Sequence, residues 1–128
     1  MSIIGHGIDL VDVARIQEMV DRHGERFLTR CFTPDELAYA DTNIKRRMEH
    51  LAARFAAKEA VLKAVGTGWR HGIAWTDAEV TRLPSGAPGV RVHGKLNEIA
   101  DELGIKKWFI SMTHTETQAM ASVIAEGE

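Results

Sequence analysis

The chain has 128 residues, 45% of them apolar, and a formal net charge of -2. That is the size of one ordinary domain with enough apolar side chain for a real core, and the slightly acidic balance excludes a whole-protein field suited to nucleic acid, so any basic partner surface must be local. The single Cys31 excludes an internal disulfide, suits a reducing compartment and is expected to act as a small, partly buried hydrophobe. The segment Met1-Ser2-Ile3-Ile4-Gly5-His6-Gly7 has neither a basic n-region nor a long apolar run, so no signal peptide is expected. No segment approaches the roughly 20 apolar residues that span a bilayer. A cytoplasmic protein with no membrane partner is the expectation. No repeat, low-complexity tract or Pro/Gly/Ser-rich linker divides the chain, which reads as a single α+β domain over residues 1–128.

Residues 3–9 read as a short buried strand, opened by glycine and ended by an isolated acid, in Gly5-His6-Gly7-Ile8-Asp9. Asp12 suits the N-cap of a helix that stops near His23 and Gly24. Val13, Ile16 and Val20 form its apolar stripe, while Arg15, Glu18 and Arg22 share the opposite face. Arg26 and Arg30 continue the basic character. Thr33-Pro34-Asp35-Glu36 is a strong helix start, with Thr33 as N-cap, Pro34 at the first helical position and Glu36 completing a capping box. This short helix is expected to end between Asp41 and Asn43. A long helix then runs from about Lys45 to Val65, and Gly66 and Gly68 stop it. Alternation from Ile73 to Leu83 predicts a strand, Pro84 to Gly89 a turn, and Val90 to Val92 a returning strand. A helix follows over Gly94 to Leu103, stopped by Gly104. Trp108 to Thr113 and Ala119 to Ile124 predict two final strands, joined as a hairpin through Thr115, Glu116 and Thr117. The expected fold is a small, mostly antiparallel sheet packed against a long central helix, with shorter helices around it.

The centre of the long helix carries the chemistry. In Phe55-Ala56-Ala57-Lys58-Glu59-Ala60-Val61-Leu62-Lys63, the Glu59 carboxylate and the Lys63 ammonium lie one turn apart on one face. Asp9 and Glu59 are hard oxygen ligands from separate elements, suited to share one magnesium ion, and a nearby lysine can hold a phosphate. The plain alternatives are a helix cap at Asp9 and a solvated ion pair of Glu59 with Lys63.

Gly5-x-Gly7-Ile8-Asp9, then Phe55-Ala56-Ala57-Lys58-Glu59-Ala60 with Lys63, then Ser111-Met112-Thr113-His114 resemble, in order and separation, the three motifs of the holo-acyl-carrier-protein synthases. These are small members of the 4'-phosphopantetheinyl transferase superfamily. The resemblance covers nearly the whole chain and implies that superfamily's fold. It also implies an enzyme of fatty-acid biosynthesis, whose substrates are coenzyme A and apo acyl carrier protein. The phosphopantetheine arm is moved to a serine of the carrier, leaving adenosine 3',5'-bisphosphate, with magnesium as the cofactor. A homotrimer with active sites shared between neighbouring subunits is implied by resemblance only.

Under that resemblance Asp9 and Glu59 hold the metal and Lys63 reaches the phosphate opposite it. Glu59, or a metal-bound water that it orients, is the candidate base for the serine proton, with Lys63 as the alternative. Arg54 and His114 match residues near the nucleotide's phosphates. Lys45 and Arg46, with Arg47, form a basic cluster suited to the 3'-phosphate of coenzyme A, and Gly86-Ala87-Pro88 resembles a loop that approaches the adenosine. Ala87 departs from the basic residue many relatives carry there. Arg15, Arg22 and Arg26 are candidate contacts for the acidic carrier. Each basic residue has a plain counterpart as solvated surface, and His114 as a structural histidine. The rival functional class is a non-catalytic module that binds coenzyme A or the carrier. Ser111 and His114, three apart on a strand, face opposite sides and do not suit a hydrolase dyad.

Overall fold

Strand β1 runs from Ser2 to Asp12 in a computed structural model that describes residues 2–69 and 72–128; His71, which its sequence context predicts to be an exposed or structural histidine, lies outside the described residues. Helices α1 (Val13–His23), α2 (Glu25–Cys31) and α3 (Pro34–Asp41) follow. A 3-10 turn, Ile44–Arg46, leads into the long helix α4 (Arg47–Val65). A second 3-10 turn, Trp75–Asp77, precedes the hairpin of β2 (Ala78–Arg82) and β3 (Pro88–Val92). Helix α5 (Gly94–Leu103) and the hairpin of β4 (Lys107–His114) and β5 (Gln118–Gly127) complete the chain. The larger sheet is antiparallel in the order β1-β5-β4, and β2 pairs with β3 in a second, two-stranded sheet.

Helix α4 lies on the β1-β5-β4 sheet at backbone distance. A Cβ placed on Gly5 would sit 1.8 Å from the Ala64 carbonyl oxygen, and one on Gly7 would sit 1.9 Å from that of Ala60. Only glycine fits either position. The other partners are small as well: Ala56, Ala57, Ala60 and Ala64 on α4 and Ala119, Ala121 and Ala125 on β5 are all buried. Two strand residues advance about 6.7 Å and four helix residues about 6.0 Å, so the Gly5 and Gly7 rungs meet Ala64 and Ala60 in step.

Some boundaries differ from the sequence reading, each for a tertiary reason. Asp9 lies inside β1 rather than at its end, because pairing with β5 continues through Asp12 opposite Gln118. Asp12 occupies the N-cap position but makes no cap bond; its carboxylate accepts from the Gln118 amide at 3.3 Å. Gly24, at φ 55°, ends α1, so Arg26 belongs to a separate helix. Asn43 caps the turn at Ile44–Arg46, which delays α4 to Arg47. Residues 73–77 are not strand: Asp77 accepts from the Ala74 amide and closes a 3-10 turn. The Thr33–Glu36 capping box, α5 with its Gly104 stop, and the final hairpin form as read, with β4 and β5 longer than expected.

Cys31 is buried, and that burial pushes its thiol up to about 11, as a hydrophobic role requires. Lys58, from the central motif, is wholly buried too. Its ammonium donates to Glu36 Oε1 at 2.8 Å, to the Ala78 carbonyl at 2.6 Å and to that of Trp75 at 3.3 Å. Glu36 is likewise buried and also accepts from the amides of Thr33 and Val80. One buried ion pair therefore ties α3, β2 and the Trp75 turn to α4. Lys58→Met strands the Glu36 carboxylate and is expected to cost about 3–5 kcal/mol in urea unfolding. Adding Glu36→Gln should recover part of that loss.

Candidate active site

From Leu51 to Val65, every residue of α4 is buried except Glu59 and Lys63. The helix is enclosed on nearly all sides and opens to solvent at these two side chains. Asp9 reaches the same opening from β1, on the row that begins with Gly5 and Gly7. Lys63 Nζ donates to Asp9 Oδ1 at 3.1 Å and to the Ile8 carbonyl at 2.9 Å. The lysine thus bridges to the strand, and its ion-pair partner is Asp9. Glu59 is held from the other side, where the Trp69 indole N–H donates to Oε2 at 3.4 Å. Trp69 stacks on Trp75 with ring centroids 3.8 Å apart, and Trp75 stacks on Phe55 at 4.8 Å.

Burial first, and the Asp9 charge second, hold the Glu59 carboxyl above its ordinary value, against the Trp69 bond and the Arg15 and Lys63 charges. A half-buried carboxylate beside a second carboxylate is a site that a divalent cation would relieve. Asp9 and Glu59 offer hard oxygen donors, which suit magnesium. Among the described residues no group of three or more His, Cys, Asp and Glu could hold a metal ion. Magnesium commonly uses only one or two protein carboxylates and fills its other positions with water and phosphate oxygens, so the pair fits.

The basic residues gather at the opposite end of α4. Glu49 is buried, and its Oε1 accepts from His114 Nδ1 at 2.8 Å and from Arg46 Nη1 at 3.4 Å. The His50 ring meets those of His114 and Tyr39, each at 5.4 Å. Arg54 and Arg82 lie against the Tyr39 ring at 4.3 and 4.5 Å. Arg54 is 2% exposed; Nη1 donates to the His50 carbonyl at 3.4 Å, while Nε and Nη2 are buried with no partner among the described residues. Arg47 pairs with Asp41 at 2.7 Å, and Lys45 is exposed on the turn before α4. Gly86, at φ 90°, forms the β2–β3 turn, and Pro88 opens β3. Glu49, His50, Tyr39, Arg82 and Trp69 were not singled out from sequence, because their partners come from distant segments.

A hollow of about 670 Å³ opens between α1, α2 and the Trp75 turn, lined among others by Arg15, Met19, Arg26, Phe27, Phe55 and Trp75. It brings Arg15 and Arg26 together although Gly24 separates their helices. The Arg15 guanidinium lies 5.5 Å from the centre of the Phe55 ring. Arg22 stands outside the hollow and pairs with Glu18 at 2.9 Å, both well exposed.

The raised Glu59 carboxyl has a consequence for stability. The folded chain binds this proton more tightly than the unfolded chain, so ionised Glu59 opposes folding at neutral pH, and stability rises as pH falls through its folded-state value. In metal-free protein, Glu59→Gln should therefore raise the urea midpoint at pH 7. The difference should be gone below about pH 4, where the carboxyl is protonated in both states.

Comparison with known proteins agrees with this fold. Residues 5–122 match the model of the 4'-phosphopantetheinyl transferase superfamily. The holo-[acyl-carrier-protein] synthase of Solibacter usitatus is 48% identical over 97% of this chain and 98% of its own. The crystal structure of the Neisseria meningitidis synthase superposes with a TM-score of 0.88 at 34% identity, covering 98% of this chain and 99% of that one. The Helicobacter pylori synthase in complex with coenzyme A gives 0.82 at 30% identity, covering 94% and 99%. A model match over most of the chain and relatives this similar over nearly their whole length show that the chain belongs to the 4'-phosphopantetheinyl transferase superfamily.

Proposed function

We propose that the protein transfers the 4'-phosphopantetheine arm of coenzyme A to a serine of apo acyl carrier protein, as a magnesium-dependent holo-acyl-carrier-protein synthase of fatty-acid biosynthesis. The observation that carries this reading is the opening of the otherwise buried Leu51–Val65 stretch of α4, where Glu59, Lys63 and Asp9 converge. The serine oxygen attacks the phosphorus that bears the pantetheine arm. The bond from that phosphorus to the bridging oxygen breaks, and adenosine 3',5'-bisphosphate leaves with the electron pair. Glu59 takes the serine proton. Lys63 turns its exposed ammonium from Asp9 toward the leaving phosphate. Trp69 keeps one Glu59 oxygen fixed. Asp9 and Glu59 would hold the magnesium ion, which when bound offsets the charge that grows on the phosphate oxygens.

The reading includes an assembly. Ile8, Leu10, Phe109 and Met120 are exposed on the sheet face turned away from α4, with Leu10 directly opposite Met120. Such an open apolar face calls for a cover. The second reason lies in distance. Ten residues of α4, about 15 Å of helix, separate Glu49 from Glu59. One ribose cannot span that gap, so a pyrophosphate at Glu59 and a 3'-phosphate at Arg46 and His114 belong to different chains. A homotrimer with sites between neighbours satisfies both demands. Arg54, Lys45, Gly86 and Pro88 then complete the nucleotide side, and Arg15, Arg22 and Arg26 face the carrier around the hollow.

Incubating apo acyl carrier protein with the protein, coenzyme A and magnesium should add one phosphopantetheine arm, read by intact mass. Chelator or Glu59→Ala should abolish the gain; binding of coenzyme A with no gain across several carriers would indicate a non-catalytic module. Charge reversal at Arg22, clear of the Glu59 cluster, should raise KM for the carrier several-fold and leave that for coenzyme A near its starting value. Mixing inactive Asp9→Ala and His114→Ala chains should restore part of the activity, whereas a site contained in one chain gives no recovery.

A further inference from the structure

Among the described residues, Glu49 is an acid in a place where its charge looks misplaced. It is 8% exposed, it sits among Arg46, His50, His114 and Arg54, and the reaction makes no use of it. An acid inside a cluster meant for an anion should weaken that cluster unless it has another task. Its contacts supply the task. A single oxygen, Oε1, receives His114 Nδ1 at 2.8 Å and Arg46 Nη1 at 3.4 Å. Those two groups come from different places: His114 ends β4, and Arg46 ends the 3-10 turn before α4.

We propose that Glu49 is the positioning residue of the phosphate-binding end of the site, gathering His114 and Arg46 into one seat for the 3'-phosphate of coenzyme A. The inference rests on the reading above that His114 and Arg46 meet the nucleotide. The chemistry runs through the imidazole. A carboxylate on Nδ1 requires the proton there, which overrides the Nε2–H preference of a free neutral imidazole and aims Nε2 away from α4. When the ring is protonated it donates on both sides, Nδ1–H to Glu49 and Nε2–H to the phosphate. Among the described residues Glu49 and His50 from α4 contact this ring, and Arg46 from the turn reaches the same Glu49 oxygen. A phosphate monoester dianion suits two cations held at a fixed separation, and the shared oxygen fixes that separation. The reacting pyrophosphate must lie at Glu59, so the group left for the far end of α4 is the 3'-phosphate.

The test uses the full chain and two nucleotides, coenzyme A and dephospho-coenzyme A, which lacks the 3'-phosphate. Nitrogen-15 spectra of the histidine rings should show His114 protonated at Nδ1 in the parent protein. Glu49→Ala should shift it toward the Nε2–H tautomer. The same variant should weaken coenzyme A about tenfold by calorimetry, with little change for dephospho-coenzyme A and for KM of the carrier. Glu49→Gln keeps an oxygen acceptor and should restore the Nδ1–H form and most of the affinity. It also serves as the working variant if Glu49→Ala does not fold: a Gln variant that loses the Nδ1–H form and weakens coenzyme A as a charge-only role requires overturns the proposal. An unmoved tautomer in Glu49→Ala, or an equal loss for both nucleotides, overturns the proposal. His114→Ala separates the two layers. If it leaves coenzyme A binding intact while Glu49→Ala still moves the tautomer, Glu49 orients a ring that meets no phosphate, and the reading of His114 itself has failed.

Discussion

The contact of β1 with α4 at backbone distance is the constraint on which the other features depend. A carbonyl of the helix occupies the space where a Cβ of the strand would stand, at Gly5 and again at Gly7. No larger residue allows the strand this close, and at a larger separation the next inward position of β1 would carry its carboxylate away from Glu59 and out of reach of Lys63. The alanines of α4 and β5 serve the same end from the opposite side. Small side chains here are not weak packing, since they let two rigid elements share a surface with little freedom to slide. The Asp9 and Glu59 oxygens inherit their spacing from that surface.

Three polar residues in one short stretch of α4 meet three different fates. Lys58 points into the protein and is fully satisfied by Glu36 and two carbonyls. Glu59 stands half-buried at the rim, and Lys63 stands in solvent with one hand on β1. The helical turn of about 100° per residue separates Lys58 from Glu59, and the one-turn repeat brings Lys63 back to the side of Glu59. An inward ion pair therefore fixes the rotation of the helix about its own axis, and that rotation presents the outward pair. A charge buried for architecture and a charge exposed for chemistry can be neighbours in sequence because one residue of helix turns them to different sides.

The sequence announces features that depend on local backbone chemistry. The Thr33–Glu36 box, the Gly66 and Gly104 stops and the α5 boundaries need no distant partner, and they form as read. Features decided by remote segments were not legible. Residues 73–77 alternate like a strand, but Asp77 closes a turn that Lys58 then holds. The reach of β1 to Asp12 is set by β5, more than a hundred residues later. The site shows the same division. One-turn spacing placed Glu59 with Lys63, and a lone acid after two glycines marked Asp9. The preference of Lys63 for Asp9, the burial of Arg54 and the coupling of Glu49 to His114 arise only from tertiary packing.

The aromatic stack beside the site gives the protein an optical voice. The Trp69 indole N–H touches Glu59, its ring lies on Trp75, and Trp75 lies on Phe55 at the wall of the hollow. Indole emission responds to the hydrogen bond at its nitrogen and to nearby charge. A cation settling against Glu59 and a partner filling the hollow would therefore perturb two coupled fluorophores from opposite sides. Trp108, on β4, lies outside this stack and supplies a steady background. The chain thus carries, without any label, a means of watching its own site fill in real time.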